Sequence, residues 1–255
     1  MPGEAALPLL EASALTVRFG GVVALDEVDL VVERGSITGL IGPNGAGKTT
    51  LFNAITGVIE PSAGQVLLDG VDITRWPTHR RGRAGINRTF QRLELFTGLT
   101  VHDNLLAAWE SMRPGGVLGR DRARGREVAA RIIDDLNLTS IADRLAGHLS
   151  TGQGRLVELG RALAAEPRLL LLDEPSSGLD ALETDQFRDV LLRVVGRETG
   201  EPAILLVEHD VGLVMEICDR ISVLDFGIRI AEGTPAEVRA DSRVIAAYLG
   251  DGHAA

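Results

Sequence analysis

The short apolar run Ser36-Ile37-Thr38-Gly39-Leu40-Ile41 passes without a break into Gly42-Pro43-Asn44-Gly45-Ala46-Gly47-Lys48-Thr49, and no other stretch restricts the fold as much. A run of this length and composition reads as a buried strand. The residues after the glycines, Leu51 to Gly57, read as a helix stopped by its own C-cap glycine. Between them the sequence fits G-x-x-x-x-G-K-S/T. In that spacing the glycines let backbone N–H groups turn inward around an anion, while the following helix offers its positive end to the same charge. Strand, glycine loop and helix together predict an α/β fold with a phosphate cradle. The cradle comprises Gly42, Pro43, Asn44, Gly45, Ala46, Gly47, Lys48, Thr49 and Thr50. Lys48 is expected to reach the terminal phosphates of a nucleotide, and Thr49 to supply a magnesium ligand.

Such a cradle needs a carboxylate at the end of a second buried strand, and Leu169 to Leu172 followed by Asp173 and Glu174 provides two. Asp173 suits magnesium, directly or through water, and Glu174 can face an attacking water as general base. PRLLLLDEP and AILLVEHD read as buried strands of the parallel type. GQVLLDGVDI reads as a hairpin turning at Asp69-Gly70. Between Val101 and Ala165 strand signals vanish and helical spacing takes over in VHDNLLAAWESM, in REVAARIIDDLNL and in the segment after Leu149. A helical lobe is therefore expected as an insertion. Its parts are joined by RPGGVLGRDRARGR, with Arg113, Arg120, Arg122, Arg124 and Arg126, which reads as a solvated loop. Contact with anionic lipid headgroups is the alternative for those arginines.

Composition removes several classes of function. The 26 basic residues against 36 acidic ones leave a formal charge of −10, which argues against an extended nucleic-acid-binding face. The single cysteine, Cys218, sits in the apolar run VMEIC and reads as a buried thiol of a reducing compartment. The opening MPGEAALPLLEAS is not expected to act as a secretory signal. No apolar run approaches the roughly 18 residues of a membrane span, so any work at a membrane needs another chain to cross it.

The stretch LSTGQGRLVELGRAL, Leu149 to Leu163, places Ser150, Thr151, Gly152 and Gly154 at the mouth of a helix. These are mediocre or poor helix formers. One reading is a capped turn, with Ser150 accepting a bond from an early helical N–H. The other is a mouth shaped to hold an anion.

Leu149-Ser150-Thr151-Gly152-Gln153, six residues before LLLLDEP once GRLVELGRAL is passed, resembles the signature motif of ATP-binding cassette (ABC) ATPases, whose usual form is LSGGQ; here Thr151 replaces a glycine. Phe19, Gln91, Ser177-Gly178-Leu179-Asp180 and His209 follow the order of that family's other elements. The resemblance runs from about Leu10 to Leu249. It implies a P-loop NTPase (RecA-like) core with an antiparallel β subdomain and an inserted α-helical subdomain. The ABC ATPase domain would span 8–250, with the core at about 8–92 and 166–250 and the helical part at about 93–165. It also implies that Phe19 stacks on adenine, Gln91 senses magnesium and water, and His209 contacts the γ-phosphate. Asp180 would lie at a dimer seam. Ser150, Gly152 and Gln153 would close on ATP held with Mg²⁺ by a second copy.

GINRTFQRLELFTGLTVHDNLLAA and the tail from Ile204 to Asp251 resemble the ATPases of branched-chain amino-acid importers, with amide, urea and lipopolysaccharide-export systems as near relatives. That resemblance implies several partners: integral membrane permease subunits, an extracytoplasmic solute-binding protein, and a homodimer or a heterodimer with a second ABC ATPase. It places the chain at the cytoplasmic face of the cell membrane and gives it no nucleic-acid partner.

Overall fold

The computed structural model describes residues 7–89, 93–113, 119–195 and 202–250. In chain order the strands and helices are β1 (Leu10–Phe19), β2 (Val22–Val32), β3 (Ile37–Ile41), α1 (Lys48–Thr56), β4 (Ala63–Leu68), β5 (Val71–Asp72), α2 (Thr78–Arg83), β6 (Ile86–Arg88), α3 (Val101–Ser111) and α4 (Gly119–Asp135). There follow α5 (Thr151–Ala164), β7 (Leu169–Asp173), α6 (Ala181–Val195), β8 (Ala203–Val207), α7 (Val211–Ile217), β9 (Arg220–Asp225), β10 (Ile228–Gly233), α8 (Pro235–Ala240) and α9 (Ser242–Gly250). The chain divides into two compact units, one formed by residues up to Ala84 together with Ala203 onward, the other by Gly85–Pro202.

In the first unit β2, β1, β4 and β5 form an antiparallel sheet in that order. The turn into β5 is Asp69-Gly70, with φ of 52° and 73°. Two successive left-handed residues match the right-handed twist of a tight hairpin, which is why Asp-Gly signals one. In the other sheet of this unit β3 lies between β8 and β9, parallel to both, and β10 returns antiparallel on β9. Every residue of β3 and β8 is buried, so these strands read as continuous apolar runs with no alternation. Gly39 at the centre of β3 admits α7: a Cβ there would lie 2.9 Å from Val214 Cγ1 and 3.0 Å from Cys218 Sγ. Asp219 then locks the crossing, its carboxylate accepting from Ile37 N at 2.8 Å while its own N–H donates to Ile37 O at 2.8 Å.

The second unit pairs β6 and β7 in parallel, with Arg88 opposite Leu171, and carries α3 to α6. Trp109 of α3 is fully buried, and α4 approaches it through Gly125, where a Cβ would fall 2.7 Å from the indole. On α5 Gly160 gives Leu136, Ile132 and Leu105 the same close approach.

The Arg-rich stretch departs from the loop expected of it. Helix α4 begins at Gly119, so Arg120, Arg122, Arg124 and Arg126 lie on a helix, and residues 114–118 fall outside the described ones. Arginine is a good helix former, and Gly125, which looked like a loop residue, is a packing residue against Trp109. Arg113 lies over the Trp109 ring at 3.4 Å and pairs with Glu166, which Arg124 also reaches.

Two outcomes follow from the packing. Gly125→Ala, although a better helix former, loses about 1–3 kcal/mol to overpacking. Gly82→Ala in α2, where nothing lies within 4 Å of the added carbon, gains about 0.5–1 kcal/mol; urea midpoints of the two variants should move in opposite directions. Burial, followed by the nearby Asp219 charge, pushes the Cys218 thiol up to about 12. The unfolded thiol ionises near 8.5 while the folded one keeps its proton, so stability falls as pH rises through the interval between those values. Comparing denaturant midpoints of the parental chain and Cys218→Ala across alkaline pH isolates this slope, which the substitution should remove.

Candidate nucleotide site

The loop after β3 is held by backbone crowding. A Cβ on Gly42 would lie 2.1 Å from Leu224 O, and one on Gly47 would lie 2.8 Å from Leu25 Cδ2 and 2.9 Å from Ala24 O. Gly42 and Gly47 have φ of 152° and 104°. Gly45, with φ of 80°, faces open space. The turn between β9 and β10 buttresses the loop: Gly227 N donates to Ala46 O at 3.0 Å, and Asp26 N donates to Gly227 O at 2.9 Å. Lys48 is 7% exposed, and its Nζ donates to Gly42 O at 2.6 Å and to Pro43 O at 3.0 Å. Asn44, Gly45 and Thr49 are exposed, and Thr50 is half-buried.

Helix α1 starts differently from α3, α5, α7 and α8. Thr100, Ser150, Asp210 and Thr234 each cap their helix with a side-chain oxygen, whereas Gly47 at the start of α1 has none to offer. The start of α1 thus has no side-chain cap from Gly47 and lies beside a buried ammonium. That arrangement fits phosphate oxygens.

The far end of α1 is gripped by a charge. Arg81 is 1% exposed; its Nη1 donates to Ala54 O and Ile55 O at 2.7 Å each, Nε to Trp76 O at 3.0 Å and Nη2 to Thr74 O at 2.7 Å. A cation at the negative end of the helix dipole, satisfying its orphan carbonyls, fixes α1 from behind. Gly57, with φ of 77°, is required there because a Cβ would fall 2.7 Å from Arg81 Nε. Desolvation lowers the Arg81 guanidinium pKa from its ordinary value.

His209 follows β8, the parallel neighbour of β3 with Leu40 opposite Val207, so it emerges at the same sheet edge as the loop. It is exposed, and its N–H donates to Glu208 Oε2 at 3.2 Å. Phe19 ends β1 opposite Val22 and is 51% exposed, a ring face free of the core. Tyr248, the one tyrosine of the chain, brings its hydroxyl towards the backbone of Gly42 from α9; burial pushes its phenol up to about 12.

The second unit holds the remaining site residues. Asp173 ends β7 at 3% exposure, and Arg88 Nη2 lies 2.6 Å from its Oδ2. Glu174 has φ of 51°, a left-handed conformation that costs a non-glycine residue energy and is concentrated at functional turns. Ser150 Oγ accepts from Gln153 N at 3.2 Å, while Gln153 Oε1 accepts from Ser150 N at 3.2 Å. This is the capping-box geometry, so the capped-turn reading of the stretch holds and the helix runs from Thr151. Glu183 joins this mouth to Asp180: its Oε1 accepts from Ser150 Oγ at 3.4 Å, its Oε2 from Asp180 N at 3.3 Å, and its N–H donates to Asp180 Oδ1 at 2.8 Å. Gly152 faces the Glu183 carboxyl, where a Cβ would lie 2.5 Å from it.

Gln91 lies outside the described residues. Sequence reasoning missed Arg81, Arg88, Tyr248 and Glu183. Of these, Glu183 had a signal, since Asp180-x-x-Glu183 is itself a capping-box spacing. Among the described residues no group of three or more His, Cys, Asp or Glu could hold a metal. Thr49 of the first unit and Asp173 of the second each carry a hard oxygen donor of the kind magnesium takes.

The family profile described as ABC transporter matches residues 25–177, more than half the chain, and that of the branched-chain amino acid ATP-binding cassette transporter matches residues 229–254. The chain belongs to the ABC transporter family and is an ATPase of that family. Among curated proteins it is 42% identical, over 96% of its length and 98% of theirs, to the high-affinity branched-chain amino acid transport ATP-binding protein BraF of Pseudomonas aeruginosa. It is 38% identical, with the same coverage, to LivG of Escherichia coli, which carries the same description. A crystal structure of the ADP conformation of an ATP-binding cassette of an ABC transporter superposes with a TM-score of 0.82 at 32% identity, covering 96% of this chain and 99% of that one.

The grip of Arg81 is testable. Arg81→Met leaves buried carbonyls without donors and should cost about 3 kcal/mol of stability, read as a fall in the urea midpoint; Arg81→Lys should recover only part of it.

Proposed function

We propose that this chain hydrolyses ATP to drive uptake of branched-chain amino acids or a closely related small solute through separate permease subunits. The observation that carries the nucleotide reading is the contrast between α1 and the four helices that cap themselves: its start has no side-chain cap and lies beside the buried Lys48 ammonium. The cargo reading is supported by the likeness to BraF and LivG and by the match of residues 229–254.

In this reading the N–H groups of residues 42–50 and the N-terminus of α1 hold the phosphates, and Phe19 lies on the adenine. Lys48 exchanges its two loop carbonyls for phosphate oxygens, a switch that its short reach to Gly42 O and Pro43 O makes local. Thr49 and Asp173 serve magnesium, which when bound neutralises charge developing on the transferred phosphoryl group. Glu174 accepts the proton of the attacking water at a carboxylate oxygen, His209 orients that water, and Gln91 reports on both. The left-handed backbone at Glu174 fixes where the carboxylate is presented.

Ser150, Gly152, Gln153 and Asp180 serve the nucleotide of a second cassette, identical or paralogous. Ser150 can do so because its hydroxyl is already oriented by the capping box, with the positive end of α5 behind it. Within Gly85–Pro202 the helical segment 93–165 is the part that passes motion to the permease. Its exposed Leu93, Phe96 and Leu99 are apolar side chains of the kind another chain covers. Among the described residues no helix is long and apolar enough to cross a membrane. The likeness to the transport ATP-binding proteins BraF and LivG supports a place at the cytoplasmic face, with a solute-binding protein on the other side.

Glu174→Gln should bind ATP with the parental affinity and lose phosphate release by about 10²–10⁴-fold. Equilibrium binding of a fluorescent ATP analogue and a phosphate-release assay measure the two quantities. Turnover at the parental rate would remove Glu174 as the base.

A further inference from the structure

Arg88 and Asp173 form an ion pair 2.6 Å long, with side chains 10% and 3% exposed. In so dry a pair the charges must stay matched, because removing one leaves the other uncompensated. The strands fix the contact: β6 and β7 are parallel neighbours, Arg88 stands opposite Leu171, and Thr89 N donates to Leu171 O at 3.0 Å. From there the Arg88 side chain needs only to reach along β7 to the residue that ends it. A magnesium ion arriving at Asp173 thus meets a carboxylate with one oxygen already engaged and a positive charge within contact distance. Like charges at that separation weaken each other's binding, more so where water is scarce.

We propose that Arg88 is the resident counter-ion of Asp173: it neutralises the carboxylate before magnesium arrives and, by sharing it afterwards, sets how tightly the site holds the metal. The inference rests on the reading of Asp173 as the magnesium carboxylate. Arg88 stands three residues before Gln91, so this side chain also ties the strand entering that segment to the metal's carboxylate. The chain is thereby spared a bare buried anion whenever magnesium is absent, at the expense of metal affinity.

The test uses the full chain saturated with ADP, so that no turnover is needed. Manganese, visible by electron paramagnetic resonance, stands in for magnesium, and thermal unfolding is followed separately in EDTA and in magnesium. Arg88→Gln should bind Mn²⁺ about tenfold tighter than the parental chain. It should unfold at lower temperature in EDTA and regain most of the loss with Mg²⁺, but not with sodium chloride of equal ionic strength. Arg88→Lys, which keeps a charge without the planar fork, should fall between the two, and it carries the test if the glutamine variant does not fold. Asp173→Asn should weaken Mn²⁺ binding in the same assay. If Asp173→Asn weakens binding while neither Arg88 variant tightens it, or if the unfolding deficit is the same in EDTA and Mg²⁺, the role of Arg88 is overturned and Asp173 stands. If Asp173→Asn leaves Mn²⁺ affinity unchanged, the reading of Asp173 and this inference fall together.

Discussion

The nucleotide end of this molecule depends on how closely residues 42–47 are pressed against two other strands. Leu224 O of β9 and Ala24 O of β2 occupy the space where Gly42 and Gly47 would otherwise carry side chains. That crowding determines the curvature of the loop and hence where its N–H groups aim. The turn at Gly227 adds a bond to Ala46 O from behind, and Arg81 ties two carbonyls at the other end of α1 to those of Thr74 and Trp76. The loop is therefore a rigid piece of the fold before any anion arrives, which is what lets backbone amides act as a preorganised binding surface.

Charge is handled in the same economical way in both units. Three buried or partly buried groups would be costly alone, and each is given a partner close by. Lys48 takes two loop carbonyls, Arg81 takes a helix end, and Asp173 takes Arg88. In the proposed reading Lys48 gives up its carbonyls for phosphate oxygens and Arg88 shares Asp173 with the metal, whereas Arg81 keeps its partners throughout. That division separates the groups that work from the group that supports them.

Much of this was legible beforehand. The strand-glycine-helix spacing located β3, its loop and α1, the leucine run located β7 with Asp173 at its end, and Asp69-Gly70 located a hairpin, because each feature depends on residues adjacent in sequence. What escaped depends on distant partners. Arg81 sits in the run THRRGR, which looks like solvated surface; its burial comes from carbonyls 26 and 27 residues earlier. Arg120 to Arg126 looked like a loop because Gly125 resembles a loop residue, whereas its smallness serves the indole of Trp109. At the mouth of α5 the capped-turn reading of Ser150 is met: the hydroxyl caps the helix and reaches Glu183.

The cationic side chains have a consequence of another kind. Of the 26 basic residues, 25 are arginine, and Lys48 is the one lysine. Amine chemistry directed at this chain therefore has a single side-chain target, and that target is folded into the phosphate loop. Acylating reagents and amine cross-linkers, which on most proteins decorate the whole surface, become site reporters here apart from the terminal amine. The surface stays fully charged and untouched by the same reagents, so labelling of the chain reads the state of one loop.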